Sequence, residues 1–197
     1  PENPEEICAQ LKVLPFHPSI QDVTCDGVQP AKKRGIHNVV LWDFGAKANI
    51  QRELEKRGCA VTVVPASATA QEILNLNPDG LMLSNGPGDP ADNTAVIANL
   101  RELMRHRGAN QPAKDVKTGL SYMTSQNHGY AVDCDTLPEN ASLRFVNGND
   151  GTCEGVDYTD MPAFSVQFHP EACGGPLDTR FLFDRFIAMM GGNKECR

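Results

Sequence analysis

The segment Asn38-Val39-Val40-Leu41-Trp42 is an almost continuous apolar run, which predicts a β-strand buried on both faces of a sheet. Asp43-Phe44-Gly45 follows as a turn, and residues 47–57 are rich in good helix formers until Gly58 ends the helix. A second apolar strand occupies residues 59–64. A strand, a helix and a second strand of this length predict a right-handed crossover between two parallel strands.

The same alternation continues to residue 105. Thr69 and Glu72 form a capping box, which predicts a short helix that extends to about Leu76. Residues 81–84 predict a third strand, and residues 94–105 a helix with a regular apolar face. Three such units predict an α/β fold with a mostly parallel sheet flanked by helices, in which ligands bind beyond the carboxyl ends of the strands.

The C-terminal half has shorter predicted strands and one last helix. The strands are expected at residues 121–126, 143–146, 151–158 and 163–168. The helix is expected from about Thr179 to Met190, with Asp178 or Thr179 as its cap and an apolar face formed by Phe183, Phe186, Ile187 and Met190. We expect residues 1–35 to be the tail of a preceding domain followed by a charged linker, and residues 36–197 to be the main domain.

Composition disfavours several classes of protein. The 197 residues are 40% apolar and 22% charged, which is typical of a globular domain, and the formal net charge is −7. The acidic balance disfavours nucleic acid or an anionic membrane as the main partner, and no apolar run approaches the roughly 20 residues that cross a bilayer. The seven scattered cysteines lack C-x-x-C spacing, so we expect no metal site and reduced thiols in a cytoplasmic protein.

His169-Pro170-Glu171 follows the last predicted strand. Pro170 cannot donate to a sheet ladder, so pairing is expected to stop there. Residues two apart in an extended segment point to the same side, which brings the Glu171 carboxylate near the His169 imidazole. Such a pair is the base and the orienting group of a nucleophilic triad, although a histidine beside a solvated glutamate at a strand end has the same pattern.

Two glycine-containing loops are further candidate binding segments. Asn85-Gly86-Pro87-Gly88-Asp89-Pro90 follows the third strand, and its glycines let backbone N–H groups approach a ligand and stabilise an oxyanion. Ser125-Gln126-Asn127-His128-Gly129-Tyr130 offers an Asn127 amide that both donates and accepts hydrogen bonds, and backbone contact at Gly129. Each loop is also compatible with an ordinary turn.

Together the three motifs resemble those of class I, triad-type glutamine amidotransferases, in which N-G-P-G-D-P, Q-N-H-G-[FY] and Q-F-H-P-E occur in this order. Residues 42–50, W-D-F-G-A-K-A-N-I, and residues 77–90, N-P-D-G-L-M-L-S-N-G-P-G-D-P, are similar more narrowly to the glutamine-hydrolysing small subunits of carbamoyl-phosphate synthetases. The resemblance covers residues 38–190 and implies a flavodoxin-like open sheet.

The resemblance implies roles for individual residues. His169 matches the general base of the family, and Glu171 matches the carboxylate that orients the base. Gly86 and Gly88 match the loop that contacts bound glutamine and stabilises the oxyanion. The segment that holds the substrate is matched by Asn127, Gly129 and Tyr130, the last of which is often phenylalanine in the family.

The chain departs from the family at the nucleophile. The family carries its cysteine on a strand–turn–helix elbow, G-[IV]-C-L-G-H-Q, after the helix that corresponds to residues 94–105, and no such string occurs here. Either a segment near residues 105–108 is omitted from the sequence, or the deletion is real and the protein is catalytically inactive. The first explanation is favoured, because a real deletion would expose a large apolar surface and leave His169 and Glu171 without a nucleophile.

The implied function is hydrolysis of glutamine and transfer of the ammonia to a carbamoyl-phosphate synthetase large subunit, in arginine or pyrimidine synthesis. No metal or organic cofactor is implied for this chain, because ATP is used by the partner subunit. Two alternatives remain open. One is an amidotransferase of another pathway, such as anthranilate or guanylate synthesis, and the other is a non-catalytic module that binds glutamine.

Overall fold

The computed structural model describes residues 3, 19–105, 120, 122, 124, 131–148, 151–172 and 179–191. The elements of the first half are β1 (His37–Asp43), α1 (Ala48–Lys56), β2 (Cys59–Pro65), α2 (Ala70–Asn75), β3 (Gly80–Leu83) and α3 (Thr94–Arg105). Those of the second half are β4 (Ala141–Val146), β5 (Cys153–Tyr158), β6 (Phe164–Val166) and α4 (Phe181–Met189). Short 3₁₀ turns lie at Ile20–Asp22, Pro90–Asp92 and Cys134–Thr136.

The first three strands form a parallel sheet in the order β2-β1-β3. Every element predicted between residues 36 and 105 is present, and the predicted capping box at Thr69 and Glu72 is formed. The α/β fold with a parallel sheet flanked by helices is therefore confirmed. Among the described residues, no strand pairs with the second edge of β3.

Successive residues of β1 supply two separate cores, because side chains alternate between the faces of a strand. Val40 and Trp42 pack on one face with α2 and α3, in a cluster that also contains Ile73 and Val96. The opposite face carries Val39, Leu41, Val61, Val63, Ile50 and Leu54, together with Phe183 of α4. The apolar run that predicts this strand is thus explained by helices on both faces of the sheet.

The last three strands form a second, antiparallel sheet in the order β4-β5-β6. The strand that precedes His169, β6, does not join the parallel sheet; it pairs with β5 and is only partly buried. The short connection between Tyr158 and Phe164 gives the reason, because parallel strands need a crossover of about a dozen residues or more. The predicted strand at residues 121–126 lies mostly outside the described residues.

Helix α4 packs against the parallel sheet and against α1. Phe183 is buried beside Leu54, and the ring of Phe183 lies 5.5 Å beneath the guanidinium of Arg57. Arg57 also donates from Nη2 to Oδ2 of Asp184 at 3.1 Å. The predicted cap of this helix is wrong: Arg180 occupies the N-cap position and no side chain caps the helix, while Asp178 lies outside the described residues.

The same helix packs against the antiparallel sheet through its neighbouring residues. Leu182 lies in a third apolar cluster with Phe145 and Phe168. Arg185 donates from Nη2 to Oδ1 of Asp157 in β5 at 2.7 Å. Helix α4 therefore contacts both sheets and fixes one against the other.

Two further observations complete the architecture. Residues near the start of the described chain pack on the parallel sheet, where Ile20 is buried and the backbone of Gln29 pairs with that of Val63. In the part of the chain that the structure describes, no helix has the length and apolar character required to cross a bilayer.

The buried Glu53 carboxylate beside α4 generates a pH-dependent prediction. Hydrogen bonds from Lys56 and then Arg57 lower the pKa of Glu53, although burial opposes the shift. The stabilisation is therefore present above the unfolded pKa, about 4.3, and is lost as the pH falls through the folded pKa. We expect Glu53→Gln to lower the free energy of unfolding near neutral pH by about 1–3 kcal/mol. Urea titrations at decreasing pH should show this difference shrinking.

The matched control is Glu55→Gln on the same helix, where the carboxylate accepts a hydrogen bond from Gln51 at 2.7 Å. This residue is partly exposed, so its substitution should change the free energy of unfolding by less than about 0.5 kcal/mol. A Glu53→Gln difference that stays constant down to the acid transition would contradict the prediction.

Candidate functional site

His169 and Glu171 lie side by side in the turn that follows β6. The Nδ1 atom of His169 is 3.0 Å from Oε1 of Glu171, and the two side chains are 18% and 3% exposed. This distance is in the range of a hydrogen bond, but no donor among the described residues reaches Oε1 of Glu171 with hydrogen-bond geometry. Because Nδ1 faces the carboxylate, Nε2 of the imidazole is the nitrogen left for a substrate or a nucleophile.

The turn is anchored to the antiparallel sheet. Phe168 is 4% exposed, and its ring packs edge-on against the ring of Phe145 with 5.5 Å between centroids. The backbone N–H of Gln167 donates to the carbonyl of Glu154 in β5 at 2.9 Å. Packing and backbone pairing therefore determine the position of His169, as the preorganisation of a catalytic base requires.

Residues that follow β1 connect this turn to the parallel sheet. The ammonium of Lys47 lies 3.7 Å from Oε1 of Glu171, and Asn49 donates from Nδ2 to the Glu171 carbonyl at 3.2 Å. The backbone N–H of Lys47 donates to Oδ1 of Asn85 at 3.5 Å, and Nδ2 of Asn85 donates to the Gly45 carbonyl at 3.1 Å. The structure thus brings the His169 turn, the end of β1 and the start of the glycine loop to one edge.

The sequence alone assigns no role to Lys47 or Asn49. Both lie in the segment 42–50 that carries part of the resemblance, but the sequence does not indicate that they contact Glu171. Their position in the sequence is the signal that could have indicated a role. Polar residues that directly follow the carboxyl end of a parallel strand lie where such folds bind ligands.

The two glycines of the loop have different structural reasons, close packing at Gly86 and backbone conformation at Gly88. A Cβ on Gly86 would lie 2.8 Å from the carbonyl oxygen of Phe44 and 3.0 Å from Cγ2 of Ile20. Gly88 has a φ of +81°, a value that favours glycine. The loop is closed by the Ser84 hydroxyl, which accepts from the N–H of Phe44 at 2.8 Å. These contacts explain a fixed backbone path without reference to a ligand.

Neither Cys25 nor Cys59 carries an activated thiol. Burial raises the pKa of the Cys59 thiol to about 11, and Cys59 begins β2 at the edge of the sheet opposite to the one with His169. Burial, followed by the charge of Asp43, also raises the pKa of Cys25. A raised pKa keeps a thiol protonated and unreactive.

Several predictions for the site lie outside the described residues. These are the substrate-holding residues Asn127, Gly129 and Tyr130, as well as the junction at residues 106–108, and they stay predictions. The described residues include no group of three or more His, Cys, Asp or Glu side chains arranged to hold a metal ion.

Known proteins are similar to this chain in sequence and in fold. The family model described as glutamine amidotransferase class-I matches residues 40–106 and 101–189. A carbamoyl phosphate synthase small chain from Staphylococcus epidermidis is 43% identical over 98% of this chain and 61% of its own length. One from Methanopyrus kandleri is 47% identical over 79% of this chain and 51% of its own length. The chain therefore spans about three fifths or less of the length of these relatives.

One solved structure shares the fold. A protein from Thermoplasma acidophilum, assigned to GMP synthase, superimposes with a TM-score of 0.63 and 17% identity, over 79% of this chain and 94% of that chain. At this identity the likeness concerns the fold alone, and the shared fold agrees with the α/β architecture described above.

The alignments also locate a difference in length. The alignment with the Staphylococcus epidermidis relative runs over 224 residues but takes in 98% of a 197-residue chain, so about 31 aligned positions have no residue here. The two matches to the family model meet at residues 101–106, at the end of α3. This is the place where the sequence predicts that the elbow is missing.

The contacts of Gly86 generate a stability prediction. Gly86→Ala forces a Cβ against the backbone of Phe44, so we expect a loss of about 1–3 kcal/mol in the free energy of unfolding, as for other overpacked sites. Gly27→Ala is the control, because nothing lies within 4 Å of a Cβ there. At such a compatible site the change should be about 1 kcal/mol or less, in the stabilising direction. Equal urea midpoints for the two variants would refute the packing role of Gly86.

Proposed function

Because the chain belongs to the class-I glutamine amidotransferase family, we propose that it is the glutamine-hydrolysing part of a carbamoyl phosphate synthase small chain. Its substrate is glutamine, and the ammonia passes to a large synthetase subunit that makes carbamoyl phosphate. The contact between His169 and Glu171 carries the proposal, since it supplies two of the three groups that a cysteine-based triad requires.

The proposed mechanism assigns the proton transfers to His169. Nε2 of His169 takes the proton of a cysteine thiol, and the thiolate attacks the side-chain amide carbon of glutamine. His169 then gives the proton to the leaving ammonia, and water hydrolyses the thioester to glutamate. Glu171 holds the ring through Nδ1 and stabilises the imidazolium. Lys47 balances the buried carboxylate when the imidazole is neutral.

The remaining residues of the site act on the substrate. Backbone N–H groups of the loop with Gly86 and Gly88 stabilise the tetrahedral oxyanion. Asn127, Gly129 and Tyr130 hold the glutamine. This chain requires no metal or organic cofactor, because ATP is consumed by the partner subunit. The reaction takes place in the cytoplasm and involves neither nucleic acid nor a membrane.

The nucleophile belongs to a segment that joins the chain after Arg105. This part of the proposal is supported by the meeting of the two family matches at residues 101–106 and by the roughly 31 aligned positions without a counterpart here. It is also supported by β3, whose second edge has no strand partner among the described residues and whose Leu83 is 38% exposed. A further strand beside β3 would cover this surface.

A second candidate function is a non-catalytic module that binds glutamine. The observation that favours it is the absence of a cysteine in an elbow context from the 197 residues. An amidotransferase of another pathway is less well supported, because the relatives described above are carbamoyl phosphate synthase small chains.

The mass of the natural protein decides between hydrolysis and binding. We expect a mass above the 21.4 kDa of this chain by at least the roughly 31 residues inferred here, and glutaminase activity in that protein. Intact-mass spectrometry and a glutamate assay on the same preparation check both. A protein whose mapped peptides run from residue 101 to 112 without an insertion, and which binds glutamine without producing glutamate, would establish the binding module.

The role of His169 is tested in the complete small subunit with its large partner. We expect His169→Ala to lower glutamine-dependent carbamoyl phosphate synthesis by several orders of magnitude, because both the thiol and the leaving ammonia lose their proton carrier. Synthesis from ammonium should be unchanged, since the partner needs only ammonia. Lys32→Ala, at an exposed position, is the control for substitution itself. Equal losses with glutamine and ammonium would assign His169 to folding or docking instead.

A further inference from the structure

A segment that precedes the parallel sheet in sequence lies against the carboxyl ends of β1 and β2. Ile20 is buried in the core on one face of the sheet, and the backbone of Gln29 pairs with that of Val63 in β2. These two contacts anchor the segment on either side of Thr24. The segment therefore reaches the edge of the sheet where the His169 turn lies.

The Thr24 hydroxyl bridges the ends of the two strands. It donates to the carbonyl of Asp43 at 2.7 Å and accepts from the N–H of Ala66 at 2.8 Å. Asp43 is the last residue of β1, and Ala66 directly follows β2. A threonine hydroxyl carries a single proton and also accepts, so one side chain can satisfy both backbone groups. Thr24 thus extends the pairing of β1 and β2 beyond the end of the ladder.

The Asp43 carboxylate joins the same segment to the loop that follows β1. Oδ2 accepts from the N–H of Cys25 at 2.9 Å, while Oδ1 accepts from the N–H groups of Gly45 and Ala46 at 2.9 and 2.6 Å. Asp43 is 8% exposed, and Asx turns of this kind fix the path of the residues that follow. Val23 also packs here, since a Cβ on Gly45 would lie 2.9 Å from Cγ2 of Val23. The backbone is therefore held as far as Ala46.

We propose that Thr24 and Asp43 are positioning residues for glutamine hydrolysis. They fix the loop from which Lys47 and Asn49 reach Glu171, with 3.7 Å from the Lys47 ammonium to Oε1 and 3.2 Å from Nδ2 of Asn49 to the carbonyl. Through these two contacts they act on the carboxylate that orients the imidazole. The kinetic consequence rests on the proposed function, whereas the coupling between the two segments can be measured without it.

Hydrogen–deuterium exchange of the complete small subunit measures the coupling directly. In Thr24→Val, which lacks the hydroxyl, we expect faster exchange in peptides that cover residues 43–50 and 164–172. Thr24→Ser retains the hydroxyl and should exchange like the wild type. Faster exchange confined to residues 19–46 would overturn the proposal, because the His169 turn would then not depend on the bridge.

Kinetics of the complete small subunit with its large partner test the catalytic consequence. We expect Thr24→Val to lower kcat for glutamine hydrolysis about tenfold to a hundredfold, since a small misplacement of reacting groups has effects of this size. Thr24→Ser should retain the wild-type kcat, and synthesis from ammonium should be unchanged in both variants. A Thr24→Ser variant as impaired as Thr24→Val, or equal losses with glutamine and ammonium, would contradict the positioning role.

Asp79→Asn is the matched control. Oδ2 of Asp79 also accepts from a backbone N–H, that of Asn38 at 3.0 Å, but it does so at the amino ends of β1 and β3. The substitution should leave kcat and the exchange of residues 164–172 unchanged. A loss of kcat equal to that of Thr24→Val would assign both effects to general weakening of the sheet and overturn the proposal.

A second variant tests the carboxylate. In Asp43→Asn the side-chain oxygen can still accept from Gly45 and Ala46, but the new NH₂ group faces the N–H of Cys25. We expect the same slower hydrolysis and faster exchange as in Thr24→Val, and this variant decides if Thr24→Val does not fold. Absence of glutaminase activity from the wild-type complex would refute the proposed function, and the exchange measurements would then decide the positioning role alone.

Discussion

Contacts that α4 makes with both sheets determine where the His169 turn lies. The helix inserts Phe183 among the side chains beneath the parallel sheet and Leu182 among those of the antiparallel sheet. The next two residues of the helix are charged and contact the same two sides. Asp184 accepts a hydrogen bond from Arg57, which follows α1, and Arg185 donates one to Asp157 in β5 of the antiparallel sheet. Consecutive residues of a helix point about 100° apart, so a single turn can serve two surfaces. His169 follows a strand of the antiparallel sheet, whereas Lys47 and Asn49 follow a strand of the parallel sheet.

Local patterns predicted the first half of the fold and only part of the second. The run from Asn38 to Trp42 has to be a strand buried on both faces, and helices on both faces are what the structure contains. The segment at 163–168 has an equally clear strand pattern, but its partner is set by the short connection from β5. Strand propensity and periodicity describe a segment, whereas pairing depends on the length of the connection and the surface available.

The contacts of the candidate site were likewise only partly predictable from the sequence. The contact between His169 and Glu171 was predictable because both residues lie in one short segment whose geometry is fixed by the backbone. The contacts of Lys47 and Asn49 with Glu171 were not, since about 120 residues separate them and no local pattern specifies such a distance. Gly86 was predictable as a residue of the loop, but the reason for a glycine at this position was not. A glycine that packs against Phe44 and a glycine that approaches a ligand cannot be distinguished in a sequence.

The separation of the site's residues along the chain also determines the order in which the molecule is assembled. The parallel sheet is built from residues 37–83, whose pairings span short distances in sequence. The bond between Asn49 and Glu171 spans 122 residues, and the one between Arg57 and Asp184 spans 127. Contacts that close long loops carry a greater entropic cost, and residues 169–184 leave the ribosome after residues 37–83. The parallel sheet is therefore expected to exist before α4 docks, and the pairing of His169 with its surroundings is among the last events of folding.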